Sequence, residues 1–545
     1  MKTKEAYNNE LFEINGSLMY NELIEAFNGR GDAVAISYMG KQITANKLFE
    51  EINLWANILT DLYGVNQGDT IAMNLPNIPN AIILFYAINK CGAIANLFHP
   101  YLPPQTVVKS MNDTKCRLFI TLDSYYDKNI EIIKESFCGD FIVSRVSDYL
   151  PSIKKLLYRG KEAVIKDTKC LYMDILKQNR HLKGNSYSSS RYNKEAVYMH
   201  SAGTSGEAKT IILSNAAIVS LSESLTYIIP NMDAKHNKCI MVLPLFHGFG
   251  FGVCMHAMLA HGFEVVLIPK FKPEYLAKVV CKRRATICAG IPTMFSRLLT
   301  LSKRKFRKLK YLEHIFCGGD KLGVPLKESF NNRLKEIGST AELVEGYGLT
   351  ETVTVCCINK KGEKDITSMG FPLKCVKLKI INEEGQVLDF NQKGEICIGG
   401  PTLMEGYLGD DASAFIYIDG EKFVKTGDIG FLDKNQKLHF LDRKKRMFKI
   451  QGIAVFPSEI ERIIKSDCEI KDCVVTYLNQ NIVVFIENDT IDENKKINIV
   501  RACKNKLLPY SVPLIENIIF LNKFPKTVVG KIDVKKMEAD YLTKI

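Results

Sequence analysis

The chain has 545 residues, a formal charge of +13, 46% apolar residues and sixteen cysteines. That length predicts roughly three to four domain-sized units, with cores that need no disulfide staples. The basic residues are scattered apart from Lys303–Lys310 and Arg443–Arg446, so no basic stripe with interleaved aromatics speaks for nucleic acid. The cysteines form no Cys-x-x-Cys pair and no metal spacing, which suits small buried hydrophobes in a reducing compartment. Met1–Gly16 carries no apolar signal core, and the most apolar stretch, Ala81–Phe98, is interrupted by Asn89-Lys90. No segment is long enough to span a bilayer. A cytoplasmic protein with polyanionic small-molecule partners is expected.

Taken in order, Ala33–Tyr38 reads as a strand and Gly40-Lys41 as a turn. Thr44 is a candidate N-cap for a helix to about Leu62, with the single tryptophan, Trp55, on its apolar face. Thr70–Leu75 is a strand, Asn80–Lys90 a helix and Ala93–Leu97 a strand. This alternation predicts a parallel, doubly wound α/β sheet. Leu150–Tyr158 is basic and amphipathic: a surface helix with its lysines facing water is expected, with weak membrane-surface contact the alternative. Lys183–Asn193 is a Ser-rich loop.

That loop leads to Ser201–Thr210, Ser-Ala-Gly-Thr-Ser-Gly-Glu-Ala-Lys-Thr, after the short strand Ala196–Met199. Two glycines allow a tight turn that aims N–H groups at an anion. Ser201, Thr204 and Ser205 add hydroxyls and Lys209 a positive charge, a composition suited to polyphosphate. The order of the common P-loop is absent. Further strands follow at Lys238–Val242, Glu264–Pro269, Thr286–Gly290, His314–Phe316 and Leu343–Glu345. Most run into glycine-bearing turns: His247-Gly248-Phe249-Gly250, Gly290-Ile291-Pro292, Cys317-Gly318-Gly319-Asp320 and Gly346-Tyr347-Gly348. Ligands of open α/β sheets bind beyond the carboxyl ends of the strands, where such turns lie. Beyond Cys357, Lys377–Asn382, Gly394–Ile398 and Leu438–Leu441 read as antiparallel strands of a small barrel, with Thr426-Gly427-Asp428 in a turn. From Met447 a compact α+β unit is expected, closed by Pro525–Lys531.

Eight segments in this order resemble the motifs of the AMP-forming adenylating enzymes: Ser201–Lys209, Pro244–Gly250, Gly346–Glu351, Gly394–Tyr407, Thr426–Asp428, Asp442–Glu461, Leu508–Pro513 and Pro525–Lys531. The closest likeness is to fatty acyl-CoA synthetases. The resemblance implies a large N-terminal domain, 1–443, of two α/β subdomains and a distorted β-barrel, and a small mobile α+β domain, 444–545. It implies carboxylate plus ATP giving acyl-AMP and pyrophosphate, then transfer to the thiol of CoA, with Mg2+ as cofactor. By the same resemblance, Ser201, Thr204, Ser205, Gly206 and Lys209 hold the β- and γ-phosphates. Tyr347 faces adenine beside Gly319 and Gly346, Thr350 touches the α-phosphate, and Glu351 binds the metal. Asp428 accepts from the ribose hydroxyls, Arg443 reaches ribose or phosphate, and Lys531 bridges carboxylate and α-phosphate. His247, Gly250, Gly290 and Gly318 border the acyl pocket. Lys445 is the hinge about which Lys531 gives way to Lys449 for thioester formation. The chain departs from the family pattern at Ala208 (usually proline), Thr210 (usually glycine), Asp442 (often glycine) and Arg446 (often acidic).

Amino-acid adenylating relatives carry an aspartate for the substrate ammonium, whereas Phe246–Val253 has no acid, so a plain carboxylic acid is expected. The glycines leave room and Phe249, Phe251 and Ile291 supply apolar walls, favouring a fatty acid over an aryl acid. CoA is the default acceptor. A carrier-protein phosphopantetheine arm, or a non-catalytic binding protein on the same fold, remains an alternative.

Overall fold

The computed structural model describes residues 18–100, 102–166, 170–182, 195–200, 209–229, 232–363, 365, 368–409, 412–450, 453–468, 470, 472–488, 492–526 and 532–543. Two compact units emerge: residues 1–378 with 398–424, and residues 379–397 with 425–545. The expected boundary at 443/444 falls inside the second unit.

The first unit contains two sheets of the expected kind. In one, the strands run Leu343–Gly348, His314–Cys317, Ile287–Gly290, Lys238–Met241, Glu264–Leu267 and Val34–Tyr38, all parallel. In the other, Val197–His200, Ile94–Leu97, Thr70–Asn74, Cys116–Leu122 and Asp140–Ser144 are parallel, and Thr210–Leu213 returns antiparallel to Val197–His200. Thr44 caps its helix by accepting from Lys47 N at 3.3 Å, and Trp55 is buried against Tyr172 at 4.6 Å. The helix Pro79–Lys90 is buried from Pro79 to Asn89, so its apolar residues show no single face. One strand is additional to those expected: Lys41–Thr44 pairs antiparallel with Val34–Tyr38 across Met39 and Gly40, both at positive φ, as a two-residue hairpin requires.

In the second unit, Cys473–Leu478 and Asn481–Glu487 form a hairpin, with Ile518–Leu521 parallel to the second strand. Side chains alternate across this sheet. Val475, Val484 and Ile486 pack on Ile460, Ile464 and Ile499, while Val474, Val483 and Phe485 pack on Phe524 and Met537. The antiparallel strands expected after Cys357 are present, but Thr426-Gly427-Asp428 does not sit in a turn. It lies within the twelve-residue strand Glu421–Leu432, where Gly427 takes φ +68°.

None of the sixteen cysteines is in a disulfide. Burial pushes the thiols of Cys356, Cys397 and Cys503 up to about 12, which leaves them unreactive. No helix among the described residues is long and apolar enough to cross a membrane, and no group of three or more metal-ligating side chains lies among them.

Candidate active site

Ser201, Thr204, Ser205 and Gly206 lie outside the described residues, but both feet of their loop are described. His200 and Thr210 are register partners where the two strands of the hairpin meet the connecting segment. Asn96 donates through Nδ2 to Thr114 Oγ1 at 2.9 Å, so its Oδ1 accepts from His200 Nε2 at 2.7 Å. Nδ1 of His200 is then the acceptor for the Thr210 hydroxyl, at 3.2 Å. Burial pushes His200 down to about 4, so the ring is neutral at physiological pH, as this arrangement requires. Phe98 stacks on the ring at 4.8 Å. Thr210, which stands where the family usually has glycine, thus fastens one foot of the loop to the other.

Lys209 continues from that foot. Its ammonium lies 4.5 Å from the centre of the Tyr407 ring, a cation–π contact. The Tyr407 hydroxyl donates to Glu351 Oε1 at 2.9 Å, and Met404 N donates to the Glu351 carbonyl at 2.8 Å. One tyrosine therefore joins the expected phosphate lysine to the expected metal carboxylate. Tyr407 closes one of the motifs, but its spacing in the chain carried no sign of this role. Glu351 suits Mg2+, which takes one or two carboxylates and completes its shell with phosphate oxygens and water.

Thr350 and Glu351 sit in a short 3₁₀ turn after the Leu343–Gly348 strand. The turn ends at Val353 with φ +64° and ψ −57°, and Thr354 N donates to Thr352 O at 2.7 Å. This is a γ-turn of the rare, strained kind, built on a β-branched residue. What holds it is close packing. A Cβ on Gly348 would lie 1.6 Å from Thr354 O, and one on Gly248 would lie 1.8 Å from Val353 O. A Cβ on Gly252 would meet Val353 Cγ1 at 2.9 Å. The segment after His247 is therefore pressed directly against the turn that carries Thr350 and Glu351.

The glycines expected to border the pocket are each closely approached by other atoms. Gly250 leaves no room, because the space its Cβ would take holds Pro244 O at 2.1 Å. Above Gly290 sits Met294 Cε at 1.9 Å, the end of a flexible side chain. Gly318 donates to Gly290 O at 3.1 Å and faces the Phe249 ring, which a Cβ would meet at 3.2 Å. Of the expected apolar walls, Phe249 and Ile291 stay accessible, whereas Phe251 is in the core, edge-on to Phe85 at 4.8 Å. His247 is exposed, and Phe246 beside it meets His99 at 4.6 Å. Phe249–Ala257 is a run of π-helix, a form that no periodicity announced. Gly319, at φ +79°, has Ile291 nearby. Gly346 and Tyr347 are half-buried on their strand. Glu345, which no sequence signal marks, accepts from Leu322 N at 2.8 Å and so anchors the chain just after the Gly318-Gly319-Asp320 turn. Burial pushes its carboxyl up to about 7.

In the second unit, Asp428 and Arg443 are register partners joined at 2.9 Å. Asp428 is 1% exposed and Arg443 59%. Thr426 Oγ1 accepts from Asp428 N at 3.0 Å and donates to Ile396 O at 2.8 Å, which stiffens the strand on both sides of Gly427. Lys445 is exposed between two anchored neighbours. Asp442 accepts from Ser458 N at 2.8 Å, and Arg446 pairs with Glu461 at 2.5 Å and Asp442 at 3.7 Å. Lys449 pairs at the surface with Glu383, at 2.8 Å. Lys531 lies outside the described residues; Lys526 and Ile532, on either side of that stretch, form an antiparallel bridge.

Residues 23–408 match the family model described as AMP-binding enzyme. The chain belongs to the AMP-binding enzyme family. It is 27% identical over 516 residues to a long-chain-fatty-acid–CoA ligase of Bacillus subtilis, covering 92% of this chain and 90% of that one. It is 26% identical to 4-coumarate–CoA ligase 1 of Arabidopsis thaliana, covering 87% and 84%. The fold is shared with ATP-bound MatB from Rhodopseudomonas palustris, at a TM-score of 0.80 and 20% identity over 96% of this chain and 99% of that one. The chain is thus an acid–thiol ligase of the acyl- and aryl-CoA ligase type. It works by ATP-dependent adenylation and then CoA thioester formation, with ATP, Mg2+ and CoA as the family's cofactors.

Proposed function

We propose that this ligase activates a fatty acid. The observation that carries the reading is the chemistry of Phe246–Ala257. Its only ionisable side chains besides one buried thiol are His247 and His256, and His256 is held by Tyr86 at 3.0 Å and Glu22 at 3.0 Å. A substrate ammonium would find no carboxylate in this segment, and an unpaired charge is costly to bury. Phe249 and Ile291 offer apolar contact beside Gly318 and Gly319. The long-chain-fatty-acid ligase relative supports the same class. The near-equal likeness to 4-coumarate ligases supports an aryl acid as the second reading.

In the first half-reaction the acid's carboxylate oxygen attacks the α-phosphorus and pyrophosphate leaves. Lys209 and the 201–208 loop hold the β- and γ-phosphates, Thr350 the α-phosphate, and Asp428 the ribose hydroxyls. Glu351 would hold the Mg2+ ion, which would supply positive charge against the phosphate oxygens. Lys531 offsets the charge that builds between carboxylate and α-phosphate. In the second half-reaction a thiol attacks the acyl carbon and AMP leaves, with Lys449 serving this step and Lys445 as the pivot between the two. Pyrophosphate release measured over saturated acids of rising chain length and over hydroxycinnamates, with and without CoA, tests the reading. The highest kcat/KM should fall on a medium or long saturated acid, with thioester accumulating only when CoA is present. A preference for hydroxycinnamates selects the second reading. Thioester forming only on a carrier-protein arm would replace CoA as the acceptor.

A further inference from the structure

The short helix Ser152–Tyr158 is turned the opposite way from an ordinary surface helix. Ile153, Leu156 and Leu157 are 79%, 66% and 77% exposed, and their spacing puts them on one face. Val164, just beyond the helix, is 85% exposed. The polar side does the fastening: Lys154 Nζ donates to Met39 O at 2.5 Å, and Lys155 and Tyr158 are half-buried. Lys161 sits by the Tyr158 ring at 5.7 Å and is exposed, as is Lys166. Among the described residues of this stretch, the two carboxylates face inward. Glu162 is taken by the Ser147 hydroxyl and lies 4.0 Å from Arg145, and Asp148 accepts from Asn80 and from Arg145 N. An apolar face with a cationic rim is thus offered to solvent, against the usual preference of leucine and isoleucine for the interior.

We propose that this face is a docking surface for an anionic phospholipid bilayer. The cationic rim complements lipid phosphate, and the apolar ridge is of the kind that enters the headgroup boundary. A stable protein partner is disfavoured by size, since the ridge is four side chains whereas such interfaces engage about 20–30 residues a side. The surface belongs to the first unit alone and does not depend on which acid the enzyme activates.

Flotation of the full chain with lipid vesicles, without substrate, tests this. Vesicles of phosphatidylcholine with phosphatidylglycerol should carry roughly tenfold more protein than phosphatidylcholine alone, and high salt should weaken the binding. The triple variant I153S/L156S/L157S should lose flotation yet keep its melting temperature and its pyrophosphate release with a short soluble acid. K161E/K166E, with the ridge intact, should lose the preference for anionic vesicles. Three results would overturn the proposal: no flotation of the native chain, equal flotation of the triple variant, or a dimer in light scattering that the triple variant dissociates.

Discussion

His200 and Thr210 tie the feet of the proposed phosphate loop through a hydrogen bond whose direction is set by Asn96, itself oriented by Thr114. His200→Ala leaves Asn96 Oδ1 and the Thr210 hydroxyl short of a partner and loosens the loop. KM for ATP should rise roughly tenfold, from a lost buried bond of about 1–2 kcal/mol, while KM for the acid stays put. Adding Thr210→Gly should cost little more, because the two side chains act as a unit. Glu345 gives a pH signature. Its folded carboxyl titrates at about 7 against 4.5 when unperturbed, chiefly through burial. The folded chain therefore holds this proton more tightly than the unfolded chain, and stability falls as pH rises from 4.5 to about 7. Glu345→Gln should remove that component, read as a flatter melting temperature across this window. A profile unchanged by the substitution would mean that the carboxyl titrates normally.

The γ-turn at Val353 and the π-helical run after Gly248 hold each other in place, backbone against backbone. Gly248→Ala should therefore destabilise the chain by about 1–3 kcal/mol and cut pyrophosphate release with every acid tested. Gly290→Ala meets only the end of Met294 and should lower the melting temperature far less. It should shift the preferred acid instead, if that glycine borders the pocket. Thermal melts paired with the acid panel separate the two effects. At the Lys445 segment, Asp442 links Ser458 and Arg446 across the proposed pivot. Asp442→Asn weakens that link and should change the rate of thioester formation more than that of pyrophosphate release. Neither feature could be read in the chain beforehand: a γ-turn on valine contradicts local preference, and the Asp442 link appears only once the helix Pro457–Asp467 is folded against it.

For the whole molecule the family chemistry separates two half-reactions. In the role proposed for it, Lys531 places a charge at the transition state, so Lys531→Ala should slow acyl-AMP formation by roughly 10²–10³. Transfer from supplied acyl-AMP to CoA should suffer much less. Lys445→Pro, which fixes φ and removes a donor, should do the reverse. Single-turnover assays of each half-reaction check both variants. Equal losses in the two steps, with folding intact, would sink the division of labour.

The order of glycine turns, the eight motifs and the alternation of strand and helix were readable in the chain, since each is local: a few residues whose backbone freedom, charge or period speaks for itself. Strands such as Thr70–Asn74 and Lys238–Met241, and the cap at Thr44, follow from such signals. Three matters were decided only by tertiary structure. Tyr407 reaches Glu351 across 56 residues of sequence. At Gly248 and Gly250 a Cβ would run into the carbonyl oxygens of Val353 and Pro244. Ser152–Tyr158 turns its leucines outward, and Lys154 reaches a carbonyl at Met39, a contact between distant parts of the chain. Local sequence sets which element forms. Which face it buries depends on partners distant in the chain, whose approach no periodicity records.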